Sequence, residues 1–181
     1  MPQARGITLV EVIVVVFIIA MFSMILISDF PKIRRQFALS RATYKFSQDM
    51  RRAQDLALSG VKLESPKQAK GYGIYVNLAD NKKYIIYADT YQPNDYEYTE
   101  GHDYIIDTID ISREEAGVII KEINNVNYSW VSVDFSPPNP TTIITSLRQN
   151  ENNVEIVFAL EVDQSITRQV SVNKSGLIEV K

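Results

Sequence analysis

Glu11 is the one charged residue in the run Ile7–Ile27 (ITLVEVIVVVFIIAMFSMILI), a stretch of 21 residues that is otherwise almost wholly apolar. A carboxylate inside such a run costs about 2.5–3.5 kcal/mol on insertion scales, so its presence points to a partner of opposite charge. If the chain is cut between Gly6 and Ile7, a new positive amine appears at Ile7, four positions before Glu11. In an apolar bundle, that amine and the carboxylate of a neighbouring helix offset each other's desolvation. The same pairing would fix the axial register between two subunits.

Other residues with reactive side chains offer less. His102 is the only histidine and stands beside Asp103 in a polar stretch, the setting of a surface imidazole rather than a base. The segment Asp89–Glu100 (DTYQPNDYEYTE) gathers oxygen donors, but Tyr91 and Pro93 fall where the ligands of a calcium loop belong, so a solvated acidic loop is expected. There is no cysteine, which excludes disulfides, thiolate metal sites and cysteine nucleophiles. No nucleophile elbow, phosphate-binding loop or zinc-protease helix is present. The expectation is a non-enzymatic protein with no cofactor and no metal.

The element that must position Glu11 is a helix. At about 1.5 Å per residue the apolar run spans roughly 31 Å, close to a bilayer core. Its many β-branched residues would suit a strand in water, but a lone segment in lipid must satisfy its own backbone hydrogen bonds. A cleavable secretory signal has a shorter apolar run and a small-residue cut site, which is missing after Ser28. A plain signal anchor, or a buried helix of a soluble domain, leaves Glu11 without its mate.

The octapeptide Arg5-Gly6-Ile7-Thr8-Leu9-Val10-Glu11-Val12 resembles the class III signal of type IV prepilins and type II secretion pseudopilins. The resemblance implies cleavage after Gly6 by prepilin peptidase, N-methylation of Ile7, and Glu11 as the acid that sets subunit register. Ile7 stands where the group usually has Phe or Met. The resemblance also places the C-terminal body outside the cytoplasm, although Lys32, Arg34 and Arg35 beyond the span would favour the reverse orientation.

Pro31 lies where the chain leaves the apolar run, so a bend or local melting of the helix is expected between Ile27 and Pro31. Beyond it, Phe46, Met50, Ala53 and Ala57 recur at helical spacing as a stripe for packing on a sheet, and Gly60 is the expected left-handed cap. The net charge of -3 conceals an asymmetry: Asp29–Gly60 carries seven basic against three acidic residues, and Val61 onward eleven against eighteen. So acidic a body is a poor match to nucleic acid, whereas the basic helix suits headgroups or acidic neighbours.

From Gly71 the sequence breaks into short β-rich runs: 72–78, 84–89, 104–111, 118–123, 128–135, 142–147, 154–162, 166–172 and 177–180. With no helix between them they predict an antiparallel sheet or two-sheet body, hence an α+β fold with one long N-terminal helix. The tyrosines concentrated from Tyr72 to Tyr104 suit cross-strand packing, with Tyr91, Tyr96 and Tyr98 in the loop as an adhesive alternative. The stretch GYGIYVNLADNKKYIIYADTYQPNDYEYTEGHDYI and the closing RQVSVNKSGLIEV are similar to the H-type minor pseudopilin of type II secretion and to related minor pilins. Leu177-Ile178-Glu179 replaces the basic residues of relatives used in DNA uptake, so DNA binding is not implied.

The organisation expected from these resemblances is a leader at 1–6, a transmembrane and assembly helix at 7–28, an amphipathic extension at 29–60 and a β-rich pilin-like body at 61–181. The implied function is that of a structural subunit, a minor pilin or pseudopilin of a pilus, competence or secretion filament. Its implied partners are prepilin peptidase, other pilins, the inner-membrane assembly platform and, before assembly, the cytoplasmic membrane, which it crosses once. A filament-tip binding module is the alternative.

Overall fold

The structure, a computed structural model, describes residues 6–60, 63, 69–91, 96–137 and 141–181. The expected leader up to Arg5, the side chains of Ser28 and Asp29, the first body residues 61 and 62, and residues 92–95 of the oxygen-rich loop lie outside the described residues. Two compact units result, Met1–Gln36 and Phe37–Lys181.

One helix, α1 (Leu9–Ser59), supplies residues to both. Among the described residues of the first unit it is the only element, and it is long and apolar enough to cross a membrane. Large apolar side chains from Ile7 to Ile27 are exposed, from 47% at Ile18 to 77% at Leu9. So long an apolar surface left uncovered marks contact with lipid or with other protein. The helical assignment continues through Pro31, so the chain stays helical at the residue where melting was one of two expectations.

In the second unit the stripe works as its spacing requires: Phe46, Met50, Ala53 and Ala57 are fully buried, with Leu39 and Ala42 beside them. The small side chains let the sheets approach the helix closely, and Phe46 fills the space between. Its ring meets Tyr84 edge-on at 4.9 Å and Phe158 at 5.2 Å. Gly60 ends the helix with φ +56, the left-handed conformation that costs glycine nothing.

Among the described residues nine strands follow: β1 (Gly71–Asn77), β2 (Lys83–Asp89), β3 (Tyr104–Asp110), β4 (Val118–Asn124), β5 (Trp130–Ser136), β6 (Thr141–Ile144), β7 (Asn153–Leu160), β8 (Thr167–Asn173) and β9 (Ile178–Val180). They form two antiparallel sheets, ordered β3-β2-β1-β5-β6 and β4-β7-β8-β9. Of the two bodies the sequence allows, this is the two-sheet one. Ile74, Ile86, Val133 and Phe135 of the larger sheet and Ile120, Ile156, Phe158 and Val170 of the smaller share one core with the α1 stripe. The β1–β2 turn is a short 3-10 segment, Leu78–Asp80, capped by the Asn77 side chain accepting from the Ala79 N–H.

Between β3 and β4 lies a four-residue helix, α2 (Ile111–Glu114), whose N-cap Asp110 accepts from the Ser112 N–H at 3.0 Å. One turn is too short to show a period, and the strand run predicted to Ile111 absorbs its start. The acids in and around α2 meet basic residues of α1. Arg41 of α1 donates twice to the Glu115 carboxylate, at 2.5 and 2.7 Å, Lys45 reaches Asp49 and Glu114, and Arg52 reaches Asp107. Arg41, Lys45 and Arg52 therefore face acids, while Arg51 donates to the Ile178 carbonyl at 3.5 Å.

Asp49 is buried and its Oδ2 accepts from Tyr84 Oη at 2.6 Å and Lys45 Nζ at 3.1 Å. Removing the hydroxyl leaves that carboxylate short of a donor. Tyr84→Phe is expected to lower stability by about 1–2 kcal/mol, seen as a lower denaturation midpoint with unchanged far-UV circular dichroism.

Candidate functional site

The apolar segment offers the first candidate. Gly6 and Ile7 precede α1; Gly6 is exposed with nothing within 4 Å of its Cβ position, and Ile7 is 75% exposed. Thr8 caps the helix: its hydroxyl and its carbonyl both accept from the Glu11 N–H, at 3.3 and 3.1 Å. Glu11 thus stands in the first turn, where a carboxylate is favoured by the positive end of the helix dipole. Thr8 was not singled out from sequence, although T-x-x-E before an apolar run is the signature of a capping box. The local arrangement leaves the peptide bond after Gly6 open to an enzyme. It also seats the acid at the helix start, four residues from the amine that cleavage would free. Pro31 lies elsewhere on the same helix and takes no part in this group.

The second candidate region lies on the face of the five-stranded sheet away from the core. Here the loop after β2 folds back on the strands. Asp103 organises it by accepting from three backbone N–H groups, Thr90 at 2.9 Å, Tyr91 at 3.1 Å and Thr99 at 2.8 Å. The Tyr98 N–H donates to Ser132 Oγ at 3.0 Å, and the Tyr98 ring lies against Tyr75 and Tyr87 at 5.0 and 5.6 Å. The tyrosine cluster is therefore cross-strand and strand-to-loop packing, with Tyr98 part of it. The His102 ring meets Tyr91 at 4.6 Å, and its Nδ1 lies 3.3 Å from the Glu100 carbonyl oxygen. Among the described residues no group of three or more acidic, histidine or cysteine side chains has the geometry of a metal site.

Under that loop four polar side chains are fully buried, Tyr87, Asp89, Ser132 and Asp134. Two glycines make the room. A Cβ on Gly71 would lie 2.2 Å from Asp134 Oδ1, and one on Gly73 would lie 2.6 Å from the Val133 carbonyl and 2.8 Å from Tyr87 Oη. Asp134 Oδ1 accepts from Ser136 Oγ at 3.1 Å, whereas Oδ2 has no hydrogen-bond partner among the described residues. Burial pushes the Asp134 carboxyl up to about 7; the Ser136 hydroxyl pulls the other way, and the carboxylates of Asp89 and Asp103 add to the rise. Burial likewise raises the Tyr87 phenol well above its usual range.

Residues 1–27 match the prokaryotic N-terminal methylation motif. Two solved structures with similar folds are crystal forms of the type IV minor pilin FimU of Pseudomonas aeruginosa. One has 14% identity and a TM-score of 0.50, covering 79% of this chain and 87% of FimU. The other has 13% identity and a TM-score of 0.49, covering 79% and 92%. At this identity the first of these establishes the fold: a long N-terminal helix with antiparallel sheets, α+β and pilin-like. No curated protein matches the sequence. The H-type resemblance of the body segments is not singled out by these comparisons.

Asp134 gives the body a pH dependence. Its folded value lies above the ordinary carboxyl value of about 4, so the destabilisation is absent below that pH, grows toward pH 7 and is complete above it. Asp134→Asn should leave stability at pH 4 unchanged and raise it at pH 8 by up to about 4 kcal/mol, as measured by denaturation at the two pH values.

Proposed function

We propose that this chain, whose N-terminal motif and fold are those of the type IV pilin and pseudopilin group, is a minor pilin or pseudopilin, a structural filament subunit rather than an enzyme. The observation that carries the reading is the coincidence of the methylation motif with an exposed apolar helix that starts at Leu9 and is capped by Thr8. Prepilin peptidase cuts after Gly6 and methylates the new amine of Ile7. Before assembly the segment 7–28 anchors the subunit in the cytoplasmic membrane, with the body outside the cytoplasm. In the filament the same segment packs on its neighbours, and Glu11 pairs with the freed amine of an adjacent subunit.

The physical logic is a change of solvent. An uncompensated carboxylate makes residence in lipid costly, and pairing in the filament removes that cost while selecting one axial position. Pro31 provides a bend between the assembly segment and the extension at 29–60, since proline removes one backbone hydrogen bond and crowds the preceding turn. The boundaries are then a leader at 1–6 and a body at 61–181. Other pilins and an assembly platform in the inner membrane are the partners. Within the group, the body segments resemble those of the H-type minor pseudopilin, and a role of that type is part of the proposal.

Two experiments bear directly on this. Mass spectrometry of the protein from cells with active prepilin peptidase is expected to find an N-terminus at Ile7 carrying a methyl group. A mature product that keeps Met1–Gly6 would remove the reading. Glu11→Ala is expected to leave membrane insertion intact while cutting recovery in sheared filaments at least tenfold. Equal recovery of the variant would rule out pairing by Glu11.

A further inference from the structure

On the outer face of the five-stranded sheet, beside the docked loop, a cavity of about 230 Å³ is lined by Tyr75, Asn77, Asp80, Lys83, Ile85 and Thr108. Tyr75, Ile85 and Thr108 are register partners across β1, β2 and β3, so they form one row on the sheet surface. Its lining divides into two chemistries. Half-buried Tyr75 and Ile85 give an aromatic wall and an apolar floor. The other side presents the Asn77 amide, the Thr108 hydroxyl and the Asp80–Lys83 ion pair, 3.2 Å apart.

The Asn77 amide is held in place before any ligand arrives. Asn77 accepts from the Ala79 N–H at 2.9 Å and donates to Tyr75 Oη at 3.0 Å, so amide and ring are fixed together. The aromatic surface continues past the cavity: Tyr75 lies 6.1 Å from Trp130, which stacks with Tyr128 at 5.6 Å and 8°. Tyr128 is 62% exposed. A row of rings therefore leads out of a small pocket with a polar rim.

We infer that this pocket binds a neutral saccharide, one sugar ring lying on Tyr75 with its hydroxyls toward Asn77, Asp80, Lys83 and Thr108, and further units following Trp130 and Tyr128. A pyranose has the complementary pattern, an apolar C–H face and a polar edge. The size suits one ring in the pocket itself. Charge argues for a neutral ligand. Asp80 and Lys83 neutralise each other, and Glu97 and Glu100 bear on Tyr75, so a polyanion such as a nucleic acid meets repulsion. The site belongs to the body and does not depend on the filament reading.

Trp130 is the only tryptophan, so its emission reports on this surface alone. Full-length protein, in a detergent without a sugar headgroup, is titrated with cellotetraose, chitotetraose and maltotetraose to millimolar concentration. A saturable change in Trp130 emission is expected with at least one of them. Tyr75→Leu, and separately the double variant Asp80→Ala/Lys83→Ala at exposed positions, should weaken that binding about tenfold or more, with unchanged unfolding midpoints for the double variant. If Tyr75→Leu fails to fold, the double variant decides. No saturation with any of the three sugars overturns the inference, as does undiminished binding by the double variant. So does saturation by a proline-rich peptide or a single-stranded oligonucleotide in their place.

Discussion

The packing of Phe46 against two sheets at once is the contact around which the body is built. One ring on α1 meets Tyr84 from the larger sheet and Phe158 from the smaller. Neither sheet could bury its apolar face without the helix, and the helix could not hide its stripe against either sheet alone. The alanines at 42, 53 and 57 matter for the same reason, since larger side chains would hold the sheets apart and open voids around Phe46. The ion pairs of Arg41, Lys45 and Arg52 then lie along the margins of this packing. Only the Arg52–Asp107 pair is exposed on both sides, where an ion pair adds little stability, whereas Glu115 and Asp49 are largely buried in the other two.

The same helix works under two different rules along its length. Around Phe46, apolar residues occupy one stripe and charged residues the remainder, the pattern of a helix with water on one side. Around Val14 apolar residues run all the way round and all are exposed, the pattern of a helix made for an apolar surrounding. Glu11 is where that second rule is broken. Thr8 gives a local reason for an acid in the first turn, and the amine that the proposed cleavage would free gives a reason for an acid in apolar surroundings. The two reasons are compatible, because a carboxylate accepts from more than one donor.

Much of the fold was legible because strand runs and turns alternate clearly. The run read at 72–78 became β1 at Gly71–Asn77, that at 104–111 became β3 at Tyr104–Asp110, and Gly60 closed the helix as its position implied. What could not be read was how the strands divide into sheets, because pairing β1 with β5 and β4 with β7 is decided by contacts far apart in sequence. α2 escaped because a single turn shows no period. The N-terminal candidate residues were legible since they are contiguous, whereas the lining of the outer cavity comes from three strands and a turn. The burial of Asp89 and Asp134 was equally hidden. Each reads as an ordinary acid near a turn until the loop held by Asp103 covers the sheet.

The two glycines beneath that loop impose an order on how the sequence can drift. Gly71 cannot gain a side chain while Asp134 occupies its neighbour strand, nor Gly73 while the Tyr87 hydroxyl and the Val133 carbonyl stand where they do. Shortening Asp134 would open that step for Gly71, whereas shortening Tyr87 leaves the Val133 carbonyl in the way at Gly73 and empties a fully buried site. Evolution at position 71 is therefore ratcheted: the acid opposite must change first, and once a larger residue has entered, that acid can no longer return, while the backbone carbonyl beside Gly73 holds that position to glycine throughout.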